Sequence, residues 1–256
     1  MKIAFIQAPL SWENPLENRV YFESKINEIQ LDVQIIVLPE MFTSGFTMNP
    51  ERVAEGMQGE TLTWLKQLAS NRNCAFMGSL VITEDDHFFN RFVFVAPSGK
   101  VEYYDKKHLF TLSGENIAYV AGKEKCIIDY LGWKICPLIC YDLRFPVFSR
   151  NTEDYDLLVY VASWPKTRVN AWDILLQARA VENMCYVIGV NRLGTDGNGY
   201  EYVGHSQAVD FLGHYVQEPT QIEGSYVVTL NKEKLVETRQ KLGFLNDRDV
   251  FELKDN

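Results

Sequence analysis

The sequence lacks most of the features that mark a secreted, membrane-spanning, metal-binding or nucleic-acid-binding chain. Its five cysteines, at 74, 126, 136, 140 and 185, are odd in number and none stands in a C-x-x-C pair, so neither a disulfide framework nor a zinc site is expected. No window approaches the ~18 consecutive apolar residues of a membrane span. The opening MKIAFIQAPL soon meets Trp12, Glu13 and Asn14, too short for the core of a signal peptide and without a cleavage site, so a soluble cytoplasmic protein is expected. Positive charge is scarce: 25 Lys and Arg against 34 Asp and Glu leave a net charge of -9, a field that repels nucleic acid and anionic membranes. An anionic small molecule would need a local basic pocket. No linker, charge block, low-complexity tract or internal repeat divides the chain, and a single domain over 1–256 is expected.

What the chain does have is strand. It is 46% hydrophobic and 13% aromatic, enough to bury a large core, and β-branched or aromatic runs recur at 2–8, 33–39, 74–82, 90–96, 101–106, 125–130, 133–140, 156–162, 185–191, 206–211 and 225–230. Helical patterns lie at 14–30, 60–71, 144–152, 170–183 and 232–241. In the fourth of these, Ala171, Ile174, Leu175, Ala178 and Val181 recur at helical spacing and predict the core face. Hairpins are expected at Pro97-Ser98-Gly99-Lys100 and at Leu131-Gly132. Open sheets rarely exceed about ten strands without splitting, so an α/β sandwich of four layers follows, with two sheets face to face and helices outside.

Three strand ends carry chemistry. In VQIIVLPEMF, Pro39 stops the ladder and presents Glu40 beyond the strand, where open α/β sheets place functional groups. VEYYDKKHLF ends on Lys106, Lys107 and His108; adjacent side chains on an extended chain point opposite ways, so one lysine can face inward. His108 reads as a structural histidine. In KICPLICYDLRFP a buried strand runs into a polar turn with Cys140 at the boundary, like the strand-to-helix elbow of other nucleophiles. Cys74, Cys126, Cys136 and Cys185 sit in or beside apolar runs and read as packing.

A thiol that hydrolyses an amide needs a base, a proton donor for departing ammonia, and an oxyanion site. Glu40 can supply the first two, and a lysine ammonium with the backbone N–H after the nucleophile can supply the third. None of the histidines at 87, 108, 205 and 214 has a context that favours a Cys-His dyad. The turn GTDGNG at 194–199 lacks the GK[ST] ending of a phosphate loop and opens no clear helix, which argues against a nucleotide. Neither a metal nor an organic cofactor is implied.

LPEMF around Glu40, YDKKHLF around Lys106 and LICYDLRFP around Cys140, in that order, resemble the three signatures of the nitrilase superfamily of carbon-nitrogen hydrolases. The resemblance implies an α-β-β-α sandwich, commonly dimerised across a helical face, and a Glu40-Lys106-Cys140 triad. It selects Lys106 over Lys107, because the family's lysine stands two residues before the histidine. It also implies a second glutamate, for which Glu115 in LSGENIAYVAG is the candidate, and assigns the Tyr141 backbone N–H to the oxyanion. Tyr141-Asp142 after the nucleophile looks like the amidase side of the superfamily rather than the Trp-Glu of nitrile-hydrolysing members.

Residues 162–183 and 189–199 resemble bacterial omega-amidases of that superfamily, which implies small 2-oxo acid monoamides such as 2-oxoglutaramate and 2-oxosuccinamate as substrates. A glutamine-dependent aminotransferase would be the metabolic partner. A deaminated-peptide amidase, a carbamoyl-amide hydrolase, a nitrilase or a non-catalytic binding protein are the alternatives. The substrate carboxylate would need a cation, and Arg144, Lys166, Arg168 and Arg192 lie in the segments expected to rim the site. Arg144 can instead hold Asp142 or the elbow. Trp164 can wall the substrate or simply pack.

Overall fold

The computed structural model describes residues 1–30 and 32–254. One six-stranded sheet has the order β14-β1-β2-β3-β4-β5, built from Gly224–Thr229 (β14), Lys2–Gln7 (β1), Ile35–Val37 (β2), Ala75–Glu84 (β3), His87–Val95 (β4) and Val101–Asp105 (β5). A second has the order β13-β12-β9-β8-β7-β6, built from Tyr215–Thr220 (β13), Ser206–Val209 (β12), Tyr186–Asn191 (β9), Leu157–Ala162 (β8), Trp133–Ile139 (β7) and Ile128–Tyr130 (β6). A small hairpin, Leu193–Thr195 (β10) with Glu201–Val203 (β11), stands apart. The helices are Pro15–Glu28 (α1), Glu60–Arg72 (α2), the single turn Glu115–Ala118 (α3), Val169–Asn183 (α4) and Lys232–Leu242 (α5).

Strand alternation builds the layers. In β1, Ile3 and Phe5 point into the core between the sheets and share its buried cluster with Ile135, Val159 and Ile188 of the other sheet. Ala4 and Ile6 point the other way, with Phe22 and Ile26 of α1 and Leu62 and Leu65 of α2. On the far side Trp172, Leu176 and Ala180 of α4 join the second sheet's buried cluster. The expected α-β-β-α sandwich is therefore the one that forms. In each sheet the central strands run parallel, β1-β2-β3 and β7-β8-β9, so their C-terminal ends collect on one edge. The Pro97–Lys100 and Leu131-Gly132 turns do join antiparallel strands.

Four expectations change. The pattern at 144–152 does not form an α-helix: a 3-10 turn over Cys140–Arg144 is followed by irregular chain, because Phe145 precedes Pro146 and is pushed out of the helical region, at φ -114°, ψ 86°. The apolar face chosen for α4 is the outer one. Ile174 and Val181 are 56% and 50% exposed, while Trp172, Leu176, Arg179, Ala180 and Asn183 face inward. Arg179 tolerates burial because its guanidinium donates to the Leu143 carbonyl at 2.7 Å and pairs with Glu182. The hairpin β10-β11 and strand β13 were not expected. The latter is polar, carries Pro219 and lies at a sheet edge, the one place a strand tolerates proline.

Gly189 in β9 lets α4 approach the sheet. A Cβ there would stand 2.4 Å from Leu176 Cδ1 and 2.7 Å from Trp172 Cζ2. Gly189→Ala is expected to destabilise the protein by about 1–3 kcal/mol through overpacking, read as a lower denaturation midpoint in urea with an unchanged slope.

Candidate active site

The candidate residues Glu40, Lys106 and Cys140 stand just past strand ends. After β2, the Leu38 N–H donates to the Met77 carbonyl, and Pro39, which has no N–H to give, accepts from the Ser79 N–H at 3.4 Å. Met41 then takes a left-handed φ of 43° and donates its N–H to the Ser79 hydroxyl at 2.8 Å. This turn sends the Glu40 side chain inward, fully buried. Lys106 follows β5, its N–H held by the Asn90 carbonyl and its own carbonyl accepting from Gly122. Cys140 follows β7 with a left-handed φ of 44°, a strained geometry that only a well-determined surround maintains.

These segments converge on a buried ammonium. Lys106 Nζ lies 2.9 Å from Glu40 Oε1 and 2.9 Å from both carboxylate oxygens of Glu115, with all three side chains sealed from solvent. Asn90 Nδ2 donates to Glu40 Oε1 at 2.8 Å and to Glu115 Oε1 at 3.1 Å. The remaining oxygens are held by backbone: Ser163 N–H donates to Glu40 Oε2 at 2.7 Å and Phe110 N–H to Glu115 Oε2 at 2.6 Å. Glu115, at the start of α3, is thus part of the centre rather than a loop glutamate. Of the two lysines, Lys106 is the one drawn between the carboxylates.

Burial works against the Lys106 ammonium, but Glu115 and Glu40 outweigh it and raise its pKa. Burial, with the Glu40 charge beside it, raises Glu115 despite the attraction of Lys106. The Cys140 thiol is pushed well up, first by burial and then by Glu40; Lys106 and the Ser163 N–H pull the other way and do not prevail. This displacement favours the thiol over the thiolate at neutral pH.

Cys140 and Lys106 sit in the wall of a cavity of about 400 Å³, with Tyr141, Ser163 and Trp164 beside them. Of the four basic candidates, Arg144 and Arg168 line this cavity. Their guanidinium carbons lie 4.8 Å from the Trp164 ring centre and 5.3 Å from that of Phe110, and neither makes an ion pair among the described residues. Lys166 is instead engaged with Glu201 at 3.0 Å outside the lining. Arg192 is fully buried behind it, stacked over Tyr202 and donating to the Leu193 and Leu10 carbonyls. Burial without a paired carboxylate lowers its pKa. Nor does Arg144 hold Asp142, whose carboxylate is filled by other donors, Tyr104, His108 and Ile139.

The carbon-nitrogen hydrolase family model matches residues 2–240. The chain belongs to the carbon-nitrogen hydrolase family. It is 42% identical to an omega-amidase, YafV, of Yersinia enterocolitica over 98% of each chain, and 30% identical to a 2-oxoglutaramate amidase of Bacillus subtilis over 97% of this chain and 98% of that one. Its fold superposes, with a TM-score of 0.96 and 38% identity over 99% of both chains, on a CN-hydrolase superfamily protein from Xanthomonas campestris solved with an arsenic adduct in its active site.

For a carbon-nitrogen hydrolase this arrangement can move one proton between a thiol and a carboxylate while a fixed ammonium stands by for a developing oxyanion. Tyr141 lies in the first turn of the 3-10 segment, where N–H groups have no acceptor within the turn. Two polar contributors escaped the sequence reading. Asn90 was taken as the start of a strand, but β4 begins at His87 and sets Asn90 inside it, buried. The Ser163 backbone N–H left no sequence signal, since any residue carries one.

The upward displacement of the thiol fixes a pH behaviour. Because the thiolate is the nucleophile, alkylation of Cys140 by iodoacetamide in the substrate-free enzyme should be slow at neutral pH and keep rising past the pH at which an ordinary thiol is fully ionised. Mass-spectrometric labelling rates against pH check this; a plateau reached near neutrality would contradict the charge arrangement described.

Proposed function

We propose that this carbon-nitrogen hydrolase is an omega-amidase, acting on small 2-oxo dicarboxylic acid monoamides such as 2-oxoglutaramate and 2-oxosuccinamate with release of ammonia. The observation that carries the reading is the Lys106 ammonium locked between Glu40 and Glu115, beside Cys140, under a cavity with two arginines that have no acidic partner among the described residues. The similarity to an omega-amidase and to a 2-oxoglutaramate amidase over nearly the whole chain supports the substrate class.

In this reading Glu40 takes the thiol proton as Cys140 Sγ bonds to the amide carbon, and Lys106 Nζ with the Tyr141 N–H holds the oxyanion. Glu40 returns the proton to nitrogen as the C–N bond breaks, leaving a thioester and ammonia. A water then gives its proton to Glu40 and its oxygen to the carbonyl carbon, and the Sγ leaves with that proton. Glu115 keeps Lys106 in place and charged. Arg144 and Arg168, held against aromatic rings in the cavity wall, bind the substrate carboxylate, and Trp164 forms the wall behind Arg144. Side chains and water complete the cycle, without a metal or organic cofactor.

Residues 1–256 act as one catalytic domain, in the cytoplasm, downstream of a glutamine-dependent aminotransferase. Among the described residues no helix is long and apolar enough to cross a membrane. A homodimer is formed through α4, whose outer face leaves Ile174 and Val181 open beside Ala171, Leu175 and Ala178.

The test is ammonia release from the two 2-oxo amides, with glutamine, a simple nitrile and a carbamoyl amide alongside. Turnover of the 2-oxo amides should vanish in Cys140→Ala. Arg168→Met and Arg144→Met should raise KM for an anionic amide roughly 10- to 100-fold, the loss of a charge-assisted hydrogen bond of about 1.5–3 kcal/mol, and leave a neutral amide nearly unchanged. Turnover of only the nitrile, the carbamoyl amide or a deaminated peptide would move the assignment to that substrate, and activity in Cys140→Ala would overturn the mechanism.

A further inference from the structure

The buried carboxylate of Asp142 takes no part in the chemistry above, yet it is bonded on every side. Oδ2 accepts from the Tyr104 hydroxyl at 2.8 Å and from the Ile139 N–H at 3.0 Å. Oδ1 accepts from the His108 N–H at 3.0 Å and contacts His108 Nδ1 at 2.8 Å. The Tyr104 oxygen in turn accepts from the Lys107 N–H at 2.9 Å, and the His108 ring lies flat on Phe145, 3.7 Å between centres at 5°. Ile139 is the residue before Cys140 and belongs to one sheet; Tyr104, Lys107 and His108 flank Lys106 and extend from the edge strand of the other.

We propose that Asp142 is a positioning residue, a latch that ties the lysine-bearing segment of one sheet to the cysteine-bearing elbow of the other and so sets the distance between ammonium and thiol. Few other bonds do this. The Lys106 ammonium contacts Glu40 and Glu115, both carried by segments outside the elbow, and the thiol makes no hydrogen bond to either carboxylate among the described residues. Backbone donors on both sides explain why the residue is an aspartate. Ile139 N–H and His108 N–H cannot reverse their polarity, so each oxygen must accept, and only an ionised carboxylate has two oxygens that both accept. An asparagine of the same shape must turn its NH₂ toward one of those backbone donors and lose the bond on that side.

The inference rests on the reading of Cys140 as the nucleophile, and two measurements separate the two. In Asp142→Asn, with folding checked by its thermal midpoint and near-ultraviolet circular dichroism, kcat for a 2-oxo amide should fall roughly ten-fold or more, as misplacement of reacting groups by ~1 Å can cost about 100-fold. KM should stay within about three-fold, since the latch does not touch the carboxylate-binding arginines. The pH profile of Cys140 alkylation, which requires no substrate, should be displaced from wild type because the ammonium and the thiol no longer keep their spacing. Should Asp142→Asn fail to fold, Tyr104→Phe removes one donor without adding any atom, and the same split between kcat and KM is expected at smaller size. A folded variant with wild-type kcat and an undisplaced alkylation profile overturns the latch. Wild-type enzyme inactive on every 2-oxo amide would instead overturn the substrate reading, while the alkylation profiles still decide the role of Asp142.

Discussion

A lysine ammonium sealed between two carboxylates is the interaction around which this molecule is organised. Lys106, Glu40 and Glu115 have no exposure to solvent, and an ion taken out of water costs several kcal/mol unless its neighbours replace the lost hydration. Here they do: Glu40 and Glu115 each receive one backbone N–H, the Asn90 amide reaches both, and the ammonium contacts both. Breaking such an ensemble by removing one member costs about 3–5 kcal/mol. The architecture supplies those partners from separate elements, with Glu40 after β2, Asn90 within β4, Lys106 after β5, Glu115 on α3 and Ser163 after β8. The two sheets must therefore meet in one register for the charges to be satisfied.

How much of this could be read beforehand depended on whether a residue's role lay in its side chain and its local pattern. Glu40 and Cys140 each end an apolar run, and that break is visible in one dimension, whereas Lys106 was told from Lys107 only by the family resemblance. Asn90 is invisible because its strand begins earlier than the apolar pattern does, and Asp142 because its four donors come from chain segments over thirty positions away as well as from its own turn. The four-layer arrangement followed from strand count and from continuous apolar strands. The facing of α4 did not, since that helix carries two apolar stripes, one through Trp172, Leu176 and Ala180 and one through Ile174 and Val181. Periodicity alone cannot say which of two stripes meets the sheet. Among the four basic candidates the sequence offered no ranking; aromatic neighbours, brought by the fold, separate Arg144 and Arg168 from Lys166 with its glutamate and from the buried Arg192.

Two of the left-handed non-glycine positions lie at the site. Met41 and Cys140 both adopt left-handed backbone angles, a conformation that costs a non-glycine residue on the order of 1–2 kcal/mol. Both stand at the end of a central parallel strand, one in each sheet, where the chain must turn sharply to leave a side chain over the edge. The Ser79 hydroxyl holds one turn, and the Asp142 carboxylate ties the other to Tyr104 and His108. The fold tolerates the strain because each turn is fastened to an element it does not itself belong to.

The raised thiol pKa, which looks like a handicap for a nucleophile, follows first from burial and then from the Glu40 charge, and it fits the proposed reaction. A thiolate formed by losing its proton to solvent would place a further negative charge next to Glu40 and Glu115. Passing that proton to Glu40 leaves the charge of the centre unchanged, because one carboxylate is neutralised as one thiolate appears. The proton also stays next to the bond that must break, where departing ammonia requires it. A cysteine with a freely ionised thiol would have given that proton to water. In the proposed cycle, a thiol that ionises by handing its proton to Glu40 keeps acid and nucleophile paired.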